Sequence, residues 1–212
     1  MLEIDSVQHS FGNQDVLCGC YLSCSKGEVV GLLGRNGSGK STLLKIMFGT
    51  QRADFMHMKL DGKIVRQGFK NSIAYLPQTT FIPGFIAIEK LLKDINTDYL
   101  IPEMTAFLPQ VSGKKLQTLS GGELKLMETI WLLSRPADYV LLDEPFSGVA
   151  PLHIAIIQKL IKIASKKRGI VLTDHLYRPL LEISDRIVLL HNKSTYQIKS
   201  EAELVLYNYL PD

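Results

Sequence analysis

Gly34-Arg35-Asn36-Gly37-Ser38-Gly39-Lys40-Ser41-Thr42 follows the apolar run Val29-Val30-Gly31-Leu32-Leu33 and precedes Leu43-Leu44-Lys45-Ile46-Met47. The pattern G-x-x-x-x-G-K-S is the phosphate-binding P-loop, and its setting is the one that motif needs. The run before it suits a buried strand, and Leu43, Leu44, Ile46 and Met47 suit the buried side of a helix. The glycines let the backbone close around an anion with several N–H groups turned inward. The helix that follows turns its positive end toward the same anion. Lys40 can reach the β- and γ-phosphates of a nucleotide, and the Ser41 hydroxyl can ligate Mg²⁺.

Working outward, the first thirty residues alternate as strands do. Leu2-Ile4, Val16-Leu17-Cys18 and Tyr21-Leu22-Ser23-Cys24 are separated by the turn signals Phe11-Gly12-Asn13 and Lys26-Gly27-Glu28. They predict an antiparallel β lobe ahead of the P-loop strand. Asp61-Gly62 predicts a hairpin between His57–Leu60 and Ile64-Val65. Ile73–Leu76 is a short strand stopped by Pro77. From about Phe85 to Leu133 the alternation fades and helical spacing appears, in Ile88, Leu91, Leu92 and Ile95 and again from Gly122 to Leu133. This predicts a short helical lobe, about 85–133, inserted in the nucleotide-binding core. From Tyr139 the α/β alternation resumes. Tyr139–Leu142 is apolar throughout, as in a parallel strand covered on both faces. A helix from Pro151 to Lys167, a strand at Gly169–Leu172, a helix at 176–184, a strand at Arg186–Leu190 and a helix at 201–209 complete the chain. The fold class is α/β, a P-loop NTPase core with a mostly parallel sheet, in one domain over residues 1–212.

The 212 residues carry a net charge of +3 with no Lys/Arg-rich arm, which argues against a nucleic-acid partner. No apolar stretch is long enough to span a bilayer, and Met1-Leu2-Glu3-Ile4-Asp5 does not read as a signal peptide. A cytosolic chain, or one held peripherally on a membrane protein, is the expectation. Cys18, Cys20 and Cys24 share parity, so on one strand they would face the same way as packing cysteines. Lys166-Lys167-Arg168 reads as the last turn of a helix with Gly169 at its C′ position.

Several further residues carry chemistry. Asp143 and Glu144 end the apolar strand, where open α/β sheets bind ligands. Asp143 can hold Mg²⁺, and Glu144 can polarise a water near the γ-phosphate. His175 follows another apolar strand and can contact that phosphate or water. Gln78 can ligate Mg²⁺, position water, or simply solvate its loop. Ser120 is a helix N-cap with Glu123 placed to close a capping box. Gly121 and Gly122 after it leave the first helical amides approachable, which makes this a second phosphate-binding helix terminus or an ordinary helix start.

In this order the motifs resemble the ATP-binding cassette (ABC) ATPases over nearly the whole chain. Gly34–Thr42 matches Walker A, Gln78 the Q-loop, Leu119–Glu123 the LSGGQ signature with Glu last, Val140–Glu144 Walker B with its catalytic glutamate, and His175 the switch histidine. Phe11 stands where the family stacks an aromatic ring on adenine. The resemblance implies ATP and Mg²⁺, and a head-to-tail dimer, homomeric or heteromeric. Each ATP would lie between one P-loop and the partner's Ser120-Gly121-Gly122. With this chain held peripherally on the cytoplasmic face of the membrane, an integral membrane transporter subunit would receive the work. The style of Asp143–Val149 and Thr173–His175 looks most like the lipopolysaccharide-export and branched-chain amino-acid branch. Two features depart from the pattern. Ala150 replaces an Asp that reaches across the dimer toward the opposite P-loop, and the stretch from Gln78 to Leu119 is short. Ala150 alone suggests, as the alternative, a soluble or regulatory cassette with slow hydrolysis, against which Glu144 and His175 are retained.

Overall fold

β3 (Val29–Leu33) is buried at every residue, because it has a parallel neighbour on each side and layers above and below. Its six-stranded sheet runs β10-β9-β3-β8-β7-β6, with β6 (Ile73–Leu76), β7 (Tyr139–Asp143), β8 (Gly169–Thr173) and β9 (Arg186–His191) parallel to it. β10 (Ser194–Ile198) is the one antiparallel member. β7 and β8 are likewise buried throughout, as their unbroken apolar sequences require. The structure, a computed structural model, describes residues 1–65, 72–105 and 107–210.

The predicted antiparallel lobe is a second sheet, β2-β1-β4-β5. It contains β1 (Leu2–Phe11), β2 (Gln14–Cys24), β4 (Phe55–Leu60) and β5 (Lys63–Ile64), so half its strands follow the P-loop in sequence. Asp61 and Gly62 both have positive φ, 48° and 79°, as the predicted two-residue hairpin turn requires. α1 (Lys40–Phe48) buries Leu43, Leu44, Ile46 and Met47 in an apolar cluster that draws on both sheets. A larger cluster joins the other face of the parallel sheet to α4 (Gly121–Ser134), α5 (Pro151–Ser165), α6 (Tyr177–Ile183) and α7 (Glu201–Leu206). Leu142 on β7 lies fully buried in it, and truncation of such a leucine to alanine costs about 2–5 kcal/mol. Among the described residues between β6 and α4, the lobe contains α2 (Ile88–Lys93), α3 (Leu108–Val111) and three single 3₁₀ turns, in keeping with the short stretch from Gln78 to Leu119.

Four expectations are corrected. The cysteines do not share a face, because Gly19 (φ 72°) is an extra residue opposite the Val7-Gln8 step and flips the alternation. Cys20 and Cys24 are buried and Cys18 is exposed. Gly169 is the first residue of β8, not a C′ cap, and α5 ends at Ser165. Glycine is needed there for space, since a Cβ would lie 2.7 Å from the Ser25 carbonyl oxygen and from the Tyr139 ring. β10 was missed, although Asn192 and Lys193 form the turn of a β9–β10 hairpin with φ 47° and 68°. The last helix stops at Leu206, with Asn208 left-handed (φ 52°) just beyond.

Candidate functional site

The carboxyl ends of β3, β7 and β8 and the loop after β6 bring the predicted residues together. Gly39 is the left-handed residue (φ 105°) from which α1 starts, and it sets Lys40 at the first helical position. Lys40 is nearly buried, and its Nζ donates to the carbonyls of Gly34 (2.8 Å) and Arg35 (3.1 Å). Burial pulls its pKa down, against the opposing pull of the Glu144, Asp143 and Asp174 carboxylates. Ser41 Oγ donates to Asp143 Oδ1 at 3.0 Å, and Tyr75 OH donates to Asp143 Oδ2 at 2.9 Å. Burial raises the Asp143 pKa, and the two hydroxyls oppose that rise.

Glu144 is the meeting point. Its Oε1 lies 2.7 Å from His175 Nε2, and its Oε2 accepts from Gln78 Nε2 at 3.0 Å. Its backbone is left-handed (φ 56°), a conformation costly for a residue with a Cβ. Neighbouring bonds hold it there: Glu144 N donates to the Thr173 carbonyl (2.8 Å), and Phe146 N donates to Asp174 Oδ2 (2.7 Å). Asp174 also accepts from Leu176 N through Oδ1 (2.9 Å), so one buried carboxylate ties the loop after β7 to the loop after β8. Its pKa is raised by burial and lowered by those two amides.

The signature segment stands apart. The capping box is complete: Glu123 N donates to Ser120 Oγ (3.3 Å) and Ser120 N to Glu123 Oε2 (2.8 Å). Gly121 is open to solvent. Gly122 is half-buried, and glycine is needed there for space, since a Cβ would lie 2.7 Å from the Gly148 carbonyl oxygen. Among the described residues, no hydrogen bond joins 120–122 to 34–42. Arg35 turns outward, donating to the Asn208 carbonyl at 2.6 Å. Asn36, Gly37 and Ser38 line a cavity of about 370 Å³ with Val16 and Lys193. Phe11 ends β1, is 55% exposed, and presents an edge-on geometry to His9 at 4.7 Å between centroids. Thr42 is half-buried in the first turn of α1.

This donor set fits a nucleotide with a hard divalent cation. Ser38 Oγ and Thr173 Oγ1 are buried without a hydrogen-bond partner among the described residues. One hydroxyl and one carboxylate, Ser41 and Asp143, already lie together, and no cluster of three or more acidic, His or Cys ligands exists among the described residues. Mg²⁺ is commonly held by one or two carboxylates plus substrate phosphates. Sequence reasoning missed Tyr75 and assigned no role to Asp174. Tyr75 sits in an ordinary apolar strand, and the cue for Asp174 was its position beside His175 at a strand end.

Residues 17–147 match the family model described as ABC transporter. The chain is 30% identical to the lipopolysaccharide export system ATP-binding protein LptB of Acidithiobacillus ferridurans, over 97% of this chain and 92% of that one. It is 29% identical to the protein of the same name from Haemophilus influenzae, over 88% and 85%. Among solved structures, an ATP-binding subunit of an ABC transporter superposes with TM-score 0.82 at 22% identity, covering 100% of this chain and 95% of that one. A dimeric bacterial ABC transporter cassette gives 0.78 at 18% identity, covering 94% and 100%.

Proposed function

The chain belongs to the ABC transporter family as an ATPase subunit, and on that premise we propose that residues 1–212 form one ATPase domain that closes as a dimer on two Mg-ATP and drives a separate membrane partner. The observation that carries this reading is the convergence of Gln78 and His175 on the two oxygens of Glu144. Lys40 and the P-loop amides would hold the phosphates, and Ser41 with Asp143 would hold Mg²⁺, which supplies charge neutralisation at the phosphates when bound. Glu144 would take a proton from the attacking water while His175 and Gln78 fix its carboxylate in one orientation. Phe11 would offer its exposed face to adenine. Ser120, Gly121 and Gly122 would serve the nucleotide of the opposite subunit, in agreement with their separation from this subunit's own P-loop.

No described helix is long and apolar enough to cross a membrane. We place the chain at the cytoplasmic face, docked through the loop after Gln78. That loop is split between core and surface: Ile82 is buried, while Phe81 is 37% and Phe85 71% exposed. Phe81 also borders an apolar cavity of about 860 Å³ with Phe48, Tyr75 and Pro77. Likeness to lipopolysaccharide-export ATP-binding proteins supports that branch. The alternative of a slow, regulatory ATPase draws on Ala150, which heads α5 with no side-chain cap.

The test is hydrolysis and size-exclusion chromatography with ATP. Wild type should hydrolyse ATP and elute mainly as monomer, whereas Glu144→Gln should bind ATP, turn over little and elute as dimer. Rapid multiple-turnover hydrolysis by Glu144→Gln removes Glu144 from the base role.

A further inference from the structure

One face of α4 grips the loop that carries Gln78. Lys125 and Glu128, three residues apart, lie on the same side of that helix. Lys125 Nζ donates to the carbonyls of Pro77 (3.1 Å) and Gln78 (2.8 Å). Glu128 Oε1 accepts from the backbone N–H groups of Phe81 (2.9 Å) and Ile82 (3.0 Å). Four backbone groups of residues 77–82 therefore end on two charged side chains of a single helical turn. One turn further on, Trp131 packs against Phe81, with ring centroids 6.0 Å apart.

The placement of Glu128 is expensive. Its side chain is fully buried, and Oε2 has no hydrogen-bond partner among the described residues. A buried carboxylate is costly unless its bonds do something an apolar residue could not. Here it fixes a loop whose only described side-chain bond to the catalytic carboxylate is Gln78 Nε2 to Glu144 Oε2, 3.0 Å. The backbone on both sides of Gln78 is anchored, by Lys125 at 77–78 and by Glu128 at 81–82, so the reach of the amide toward Glu144 is set by α4.

We propose that Lys125 and Glu128 are positioning residues that act through Gln78: they hold the 77–82 backbone so that the Gln78 amide orients Glu144, and so set the rate of hydrolysis without touching nucleotide. This rests on the ATPase reading above.

The experiment uses the full chain and two readouts, hydrogen exchange of segment 77–82 and steady-state hydrolysis alongside fluorescent-ATP-analogue affinity. Lys125→Met and Glu128→Leu should speed exchange in that segment. They should lower kcat about tenfold while nucleotide affinity stays within about twofold. Glu128→Gln keeps an acceptor oxygen for both amides, and Lys125→Arg keeps a donor. Both should recover most of the lost rate. In a Gln78→Ala background the two disruptive substitutions should have almost no further effect on kcat, because the side chain they position is gone. Lys125 is half-buried, so Lys125→Met decides the matter if Glu128→Leu fails to fold. Unchanged exchange, unchanged kcat, an equal loss in nucleotide affinity, or full additivity with Gln78→Ala overturns the proposal. A wild type that binds nucleotide but hydrolyses none overturns the ATPase reading instead, and the exchange readout then decides the clamp alone.

Discussion

Lys40 and Asp143 show how the site trades stability for chemistry. Lys40 spends its protons on the Gly34 and Arg35 carbonyls in a desolvated place, a geometry ready to be exchanged for phosphate oxygens. Lys40→Ala should lose about tenfold to a hundredfold in ATP affinity, the worth of a charge-assisted hydrogen bond, in a fluorescent-analogue titration. Asp143 is fully buried, and burial lifts its pKa above the ordinary 3.8. For a carboxyl raised in the fold, the ionised form is the disfavoured one. Its stability contribution is complete below 3.8 and declines as pH rises through the folded value. Asp143→Asn should therefore raise the unfolding free energy at neutral pH by about 1 kcal/mol. The gain should vanish as pH falls toward 4, which urea melts across pH would show. The same variant should need more Mg²⁺ for hydrolysis. A variant less stable than wild type at pH 7 would mean that the Ser41 and Tyr75 bonds outweigh burial.

The helix termini carry the next argument. α4 begins with a complete capping box, and Ser120→Ala should cost about 1 kcal/mol in unfolding free energy. α5 begins at Pro151 after an exposed Ala150 whose side chain can cap nothing. Pro151 has no N–H and His153 N already donates to the Ala150 carbonyl (2.9 Å), so a side-chain oxygen at 150 would serve the Leu152 amide, and Ala150→Asp and Ala150→Ser should each stabilise the fold by about 1 kcal/mol. Only the aspartate would restore a charge able to reach across a dimer. If that link governs rate, Ala150→Asp should raise steady-state hydrolysis by roughly one to two orders of magnitude, or raise its Hill coefficient, and Ala150→Ser should do neither. Identical kinetics for wild type and Ala150→Asp, with both folded and dimerising, would sink this idea.

At the scale of the molecule, Phe85 separates docking from folding. It is 71% exposed, so Phe85→Asp should leave the melting temperature and ATP affinity unchanged while weakening co-sedimentation with membranes holding the partner. Unfolding would contradict its exposure, and undiminished membrane binding would move the docking site elsewhere. Much of this molecule is legible in the chain. The P-loop, the buried β7 strand and the Ser120 cap are local patterns, in which residue type and spacing alone set backbone shape and burial. They determine the α/β core and the identities of Gly34 to Thr42, Asp143 and Glu144. What the chain alone leaves open is how distant segments meet. The parity of the three cysteines depended on a bulge at Gly19, and the space at Gly169 on Ser25 and Tyr139. Glu144 gains Gln78 and His175 only because β6, β7 and β8 lie side by side with their ends in register. Glu128 looks like a solvent-facing helix residue until the 81–82 amides arrive, 46 and 47 residues away in sequence. Local propensity fixes elements, whereas hydrogen bonds between strand ends and loops are fixed only when burial of the apolar faces has set the packing.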